Sequence, residues 1–201
     1  MAIKKPLIPG YQVCDYLIVV DPGENLSEKI LAIRQSFNET YKIDGKPWKP
    51  NLLLASFKQY VMMEERIVNR LNVIGMAQRP LKIELKDYGS FPTHSVYINV
   101  TSKLPVQEIV KKIRTEAQSF MKLGEDKPYF GMEPHIMVAK KLKPWQYEKS
   151  WLEYSQKHFT GRFIANEMLL LRRYEDNKSW QVVRHFQFQN LPVETKQGEL
   201  F

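Results

Sequence analysis

The sequence predicts an α+β fold of two similar lobes whose antiparallel sheets face a central cleft, with the helices outside. Segments with the two-residue period of strands alternate with segments that have the 3.6-residue period of helices. The order strand, helix, strand, helix, strand occurs twice within 201 residues, and no long linker separates the two occurrences. We therefore predict one domain, with the first lobe at about 16–90 and the second at about 95–190.

The first half contains five predicted elements. A β-branched run that stops at Asp21-Pro22-Gly23 indicates a buried strand and a turn, and apolar residues three and four positions apart then indicate a helix. A second strand and a second helix follow, and strict alternation of apolar and charged residues predicts a half-exposed third strand. In chain order, these elements are predicted at 16–20, 24–41, 51–58, 62–78 and 81–88.

The second half repeats this order after the turn-forming residues 89–92. Residues 175–178 have the composition of a hairpin turn that joins the last two strands, and the polar segment after Pro192 is predicted to be loosely held. The elements are predicted as strand 95–100, helix 106–123, strand 133–140, a helix that begins near Pro144, and strands 168–173 and 180–189.

Composition narrows the function only slightly. Thirty basic and 22 acidic residues give a net charge of +8, which favours an anionic partner or is simply a lysine-rich solvated surface. The sequence has neither a long apolar run nor a secretory signal, so we expect a cytoplasmic protein. One cysteine and four histidines offer no metal-ligand spacing, and we predict neither a metal nor a cofactor.

The two halves each contain a strand that opens in a similar way. The first reads Pro-Asn-Leu-Leu-Leu-Ala from residue 50, and the second reads Pro-His-Ile-Met-Val-Ala from residue 134. Strand alternation places Asn51, Leu53 and Ala55 on one face of the first strand, and His135, Met137 and Ala139 on one face of the second. We expect these two faces to meet across the cleft.

In these two segments the chain resembles the 2H phosphoesterase superfamily, which includes 2′-5′ RNA ligase-like proteins and cyclic phosphodiesterases. The family pattern is a histidine, any residue, a threonine or serine, and an apolar residue, once in each lobe. The resemblance implies that the two histidines act as general base and general acid, while the two hydroxyl residues hold phosphate oxygens. Here only His135 fits, because Asn51 takes the place of the other histidine, and Leu53 and Met137 replace the hydroxyl residues.

These replacements predict impaired catalysis, because an amide cannot exchange a proton near neutral pH whereas an imidazole can. Each position also has a structural interpretation. His135 can be a hydrogen-bonded residue at a strand edge, Asn51 can end a loop, and Leu53 and Met137 can be core residues or can line an apolar pocket.

Aromatic and basic residues near the expected cleft suit a nucleotide base and its phosphate, although each is also an ordinary strand or loop residue. These candidates are Phe57, Tyr60, Phe91, Tyr97, Phe130, Lys140, Arg172 and Arg173. The predicted ligand is an RNA end, a cyclic nucleotide or another small phosphorylated molecule, bound by a monomer. Three functions remain open at this point: an enzyme-like protein that acts on a 2′,3′-cyclic phosphate or a 2′-5′ linkage, a non-catalytic binding module, and a protein-interaction module.

Overall fold

A computed structural model describes residues 10–175, 177 and 179–192. In chain order the elements are β1 (Val13–Val20), α1 (Glu24–Thr40), β2 (Leu52–Tyr60), a short 3-10 turn (Val61–Met63), α2 (Glu64–Ala77), β3 (Leu81–Phe91), β4 (Ser95–Val100), α3 (Lys103–Met121), β5 (Tyr129–Phe130), β6 (His135–Lys140), α4 (Pro144–Tyr154), β7 (Thr160–Ala165), β8 (Glu167–Tyr174) and β9 (Gln181–Gln187). The predicted elements occur in the predicted order. The strands β5 and β7 were not predicted.

The strands form two antiparallel sheets, which confirms the predicted fold class. Sheet A has five strands in the order β5-β2-β1-β8-β9, and sheet B has four in the order β6-β4-β3-β7. Sheet A packs against α2 and α3, while sheet B packs against α1 and α4. Each sheet therefore combines strands from both halves of the chain, and boundaries at residue 90 or 95 do not separate the two sheets.

The core is apolar because each sheet turns one face toward its helices. Inward-facing residues of the central strands, such as Ile18 and Ile98, have no exposed surface, and the buried stripes of the helices pack onto them. Burial of this area supplies the main favourable contribution to folding. The pairing of β8 with β9 confirms the predicted hairpin, but Asp176 and Lys178 of its turn lie outside the described residues, as does the whole segment after Pro192.

The two sheets adjoin each other at β2, β5 and β6. The two-residue strand β5 pairs with β2, and β6 begins only five residues after Phe130, in the other sheet. The Gly131 amide donates a hydrogen bond to the Leu54 carbonyl over 2.9 Å. A side chain at Gly131 would place a Cβ only 2.5 Å from the Leu53 carbonyl oxygen, so glycine permits this close approach of two backbones.

Candidate functional site

Strand β2 contains a β-bulge just after its first residues. Val19 of β1 pairs with Leu53, and Ile18 pairs with Ala55, which leaves Leu54 as one extra residue without a partner in β1. A bulge of this kind shifts the alternation of side chains by one residue. Beyond Leu54, side chains that simple alternation would place on the same face as Leu53 therefore point toward the core.

Strand β6 contains a bulge at the equivalent position. Tyr97 of β4 pairs with Met137, and Val96 pairs with Ala139, which leaves Val138 as the extra residue. Val138 follows the unpaired residue of β2 by 84 positions, the same separation as between Asn51 and His135. The duplication predicted from the sequence thus extends to an irregularity of the backbone.

The bulges correct one prediction about the cleft. Ala55 and Ala139 do not share a face with Leu53 and Met137, since they are 0% and 3% exposed and pack into the core. The residues that follow them, Ser56 and Lys140, return to the face that carries the candidate site. The sequence prediction missed Ser56, whereas Lys140 was among the predicted binding residues and remains a candidate.

His135 begins β6 on the cleft side of sheet B, between two aromatic rings. Its ring centre lies 5.0 Å from that of Phe91 and 4.8 Å from that of Tyr97. Its Nδ1 atom is 2.7 Å from the Glu133 carbonyl oxygen, which only accepts hydrogen bonds, so Nδ1 carries the proton. Burial lowers the pKa of His135 below its usual value. In the neutral ring, Nε2 is therefore left as a proton acceptor.

Gly89 provides the space for the aromatic side of the cleft. It lies on β3 directly opposite Tyr97 of β4. A Cβ atom at this position would be 2.5 Å from the Tyr97 ring and 2.6 Å from Asn99 Oδ1. The missing side chain lets the Tyr97 ring extend across β3 and contact both Phe91 and His135.

Asn51 immediately precedes β2 and is partly exposed. Within residues 10–175, 177 and 179–192, no partner forms a hydrogen bond with its amide side chain. Leu53 lies in a row of aliphatic residues that crosses sheet A on the face opposite the helices. Cross-strand pairing places Leu17, Val19, Leu53, Leu169 and Leu171 on this face.

Lys140 is a cation on the same face of β6 as His135 and Met137. Its Nζ atom lies 5.0 Å from the ring centre of Trp48, close enough for a cation–π contact. Partial burial, together with the positive charges of Lys141, Arg173 and Arg34, lowers the pKa of Lys140. Several positive charges thus converge beside this part of the cleft, which makes it attractive to an anion.

Two predicted binding residues belong to the core side of sheet A instead. Phe57 is 6% exposed and stacks on Tyr16, with ring centres 5.1 Å apart. Arg172 pairs with Glu64 of α2, and its Nη1 atom is 2.9 Å from Glu64 Oε2. Both predictions were wrong because alternation along β2 and β8, shifted in β2 by the bulge, directs these side chains toward the helices.

Arg173, which follows Arg172 in β8, lies on the cleft face of sheet A. Arg173 pairs with Asp15 over 2.7 Å and stacks on Trp180, with 4.6 Å between its guanidinium carbon and the ring centre. Together with Ser56 and Tyr129 these residues line a cavity of about 340 Å³. Two further aromatic candidates do not line this cavity: Tyr60 packs against Tyr11, and Phe130 pairs with Ala55 against the core.

The described residues contain no group of three or more His, Cys, Asp or Glu side chains that could hold a metal ion. Among these residues, no helix is both long enough and apolar enough to cross a membrane.

Two antiparallel sheets that adjoin at a pair of equivalent strands agree with the two-lobed fold that the resemblance to the 2H phosphoesterases implied. The family model for the 2′-5′ RNA ligase superfamily matches residues 22–177. The chain belongs to this superfamily. No curated protein matches the sequence significantly.

Solved structures share the fold at low sequence identity. LigT of E. coli, crystallised with 3′-AMP, is 12% identical, with a TM-score of 0.59 over 88% of this chain and 98% of LigT. TT0787 of Thermus thermophilus is 17% identical, with a TM-score of 0.61 over 87% of this chain and 98% of that protein. LigT has also been crystallised with NADP+, phosphate and ATP.

Proposed function

We propose that this chain binds a small phosphorylated ligand, such as a nucleotide or an RNA end, in the cleft beside β2 and β6, and that its phosphodiester chemistry is impaired. One observation carries the proposal: the two strands keep matching bulges, while three of the four signature positions hold Asn51, Leu53 and Met137. The cleft architecture is thus retained without the groups that the concerted reaction requires.

Electrostatics support binding of an anion at this site. Lys140 is exposed on the cleft face and Arg34 adds positive charge beside it, whereas Asp15 partly offsets the charge of Arg173. A phosphate at this position would accept charge-assisted hydrogen bonds in place of those from the missing hydroxyl residues. LigT, which has the same fold, has been crystallised with 3′-AMP and with phosphate, which supports a ligand of this class.

The loss of one histidine is the basis for expecting impaired chemistry. His135 can accept a proton at Nε2, whereas the Asn51 amide neither accepts nor donates a proton in general acid–base catalysis. A positioned acid or base contributes about 10²–10⁴ in rate. Leu53 and Met137 offer no hydroxyl to the phosphate, which adds to the deficit.

A residual enzyme is the second candidate function, and the state of His135 favours it. Its fixed tautomer and lowered pKa suit a general base that activates a 2′-hydroxyl or a water molecule. In this alternative, water would supply the acid. Cytoplasmic localisation and a monomeric state remain predictions for both functions.

Titration calorimetry with adenosine 3′-monophosphate tests the binding function in the purified chain. Lys140→Gln should weaken binding about tenfold or more, since a hydrogen bond to a charged group is worth about 1.5–3 kcal/mol. The matched control is Lys112→Gln on the exposed face of α3, which should bind as the wild type does. Equal affinity in the wild type and Lys140→Gln would contradict this placement of the phosphate.

Hydrolysis of a nucleoside 2′,3′-cyclic phosphate separates the two candidate functions. Binding without turnover supports an impaired protein. Turnover that His135→Ala abolishes supports the residual enzyme, and turnover that survives this substitution would exclude His135 as its base.

A further inference from the structure

Arg34 is a buried cation on α1 that the sequence prediction overlooked. Its side chain is 1% exposed, and its Nε atom donates a hydrogen bond to the Met137 carbonyl over 3.0 Å. Nη2 donates to the same carbonyl, and Nη1 donates to the Trp48 carbonyl. The guanidinium carbon also lies 4.3 Å from the Trp48 ring centre. Arg34 therefore binds two separate backbone segments at once.

Stability alone does not account for an arginine at this position. Within the described part of the chain, no carboxylate forms an ion pair with Arg34, and burial lowers its pKa to about 10. Transfer of an unpaired cation out of water carries a large desolvation cost, which an apolar side chain would avoid. The planar fork of donors is the property that an apolar residue cannot replace.

The two carbonyls belong to the segments that carry the candidate site. Trp48 precedes Asn51 by three residues, and Met137 follows His135 by two. Strand β6 is an edge strand of sheet B, so its outer carbonyls lack a neighbouring strand, and Arg34 donates to one of them. The guanidinium thereby joins the segment that leads into β2 to the strand that begins with His135.

We infer that Arg34 is a positioning residue that holds the two site strands in register and keeps Trp48 beneath Lys140. It does so through its hydrogen-bonding fork, without contact with the ligand. The inference rests on the proposed binding function of the cleft. In that function, Arg34 holds the segment before Asn51 in place relative to the strand that begins with His135.

Arg34→Lys and Arg34→Gln test the inference, with Arg70→Lys and Arg70→Gln on the exposed face of α2 as matched controls. Lysine keeps the charge but lacks the bidentate geometry. We expect Arg34→Lys to bind adenosine 3′-monophosphate about tenfold more weakly than the wild type, with Arg34→Gln at least as weak. Both control variants should keep wild-type affinity. Wild-type affinity in Arg34→Lys, with or without a loss in Arg34→Gln, would overturn the positioning role.

Trp48→Leu keeps the inference testable if the Arg34 variants do not fold. This change keeps the backbone carbonyl and removes the partly exposed ring between Arg34 and Lys140. We expect a several-fold loss of nucleotide affinity with an unchanged urea midpoint. Unchanged affinity would overturn the inferred role of Trp48 as the support of Lys140.

Hydrogen exchange without ligand separates failure of this inference from failure of the proposed function. If the wild type binds no nucleotide, the proposed function fails, and exchange alone decides the role of Arg34. Faster exchange confined to residues 48–53 and 135–140 in Arg34→Gln supports positioning. Unchanged exchange in these segments, or a uniform increase over the whole chain, would overturn it.

Discussion

The two sides of the cleft have the same backbone design and opposite chemistry. On the sheet A side, Asn51 precedes a strand whose cleft face is aliphatic around Leu53. On the sheet B side, His135 has a fixed tautomer, two aromatic neighbours and a cation, Lys140, beyond the bulge. The difference shows that two equivalent strands can share their backbone geometry while only one of them begins with a side chain that can transfer a proton near neutral pH.

Restoring the missing groups is the strongest way to break this asymmetry. In a chain with Asn51→His, Leu53→Thr and Met137→Thr, we expect hydrolysis of a nucleoside 2′,3′-cyclic phosphate to rise by about 10² or more. The physical reason is that acid and base would then flank one phosphate. The measurement is a steady-state rate compared with that of the wild type.

The same triple variant with His135→Ala is the control and should be inactive. An inert triple variant that is folded would mean that the two strands do not present residues 51 and 135 to a common phosphate.

Two glycines sharpen the comparison, because one supports each side of the cleft. Gly131→Ala should destabilise the chain by about 2–3 kcal/mol, since its Cβ would meet the rigid Leu53 carbonyl. Gly89→Ala should cost about 1 kcal/mol, because the Tyr97 ring can rotate away. Urea unfolding of both variants gives the two free energies.

Nucleotide affinity adds a second measurement for this pair. Gly89→Ala should lower affinity despite its small effect on stability, because Tyr97 would leave its place beside His135. Equal free energies of unfolding for the two variants would contradict the distinction between a backbone and a side-chain obstacle.

The smallest effect concerns pH. Burial holds the pKa of His135 below its usual value of 6.5, so the neutral ring is favoured in the folded chain. Above that value both states are neutral at this site, and as the pH falls below it the unfolded chain takes up the proton first. The contribution of neutral His135 to the free energy of unfolding is therefore complete above pH 6.5. It is lost progressively as the pH falls from there through the folded-state pKa.

His135→Asn gives both sides of the cleft the same residue and should remove this contribution. We expect the free energy of unfolding of the variant to fall less than that of the wild type between neutral and mildly acidic pH. A steeper fall in the variant would mean that the folded state favours the charged imidazole.

The elements that were predicted and those that were missed differ in their local signals. The long helices and the alternating strands had clear periodicity, so their approximate positions followed from sequence. Strand β7 was missed because Gly161 and the exposed Ile164 obscure its pattern, and β5 has only two residues. Two residues are too few to show a periodic pattern, so β5 could not be predicted in this way.

The site was only partly predictable for a related reason. The positions of Asn51 and His135 followed from the matched segments, but Phe57 and Arg172 were assigned to the wrong face. Arg34 did leave a signal, since it lies on the buried stripe of α1 between Ile30 and Phe37. A charge on such a stripe indicates either a partner in the interior or a functional role.

Sequence by itself determined the duplication, the order of most elements and the unequal chemistry of residues 51 and 135. These features depend on side-chain type and on spacing along the chain, both of which are local. Only the tertiary structure decided which strands share a sheet and on which face of its strand each residue after a bulge lies. It also decided that Arg34 joins the two site segments. The mixing of strands from both halves in each sheet and the positions of the bulges depend on pairing between distant residues. No local periodicity encodes that pairing.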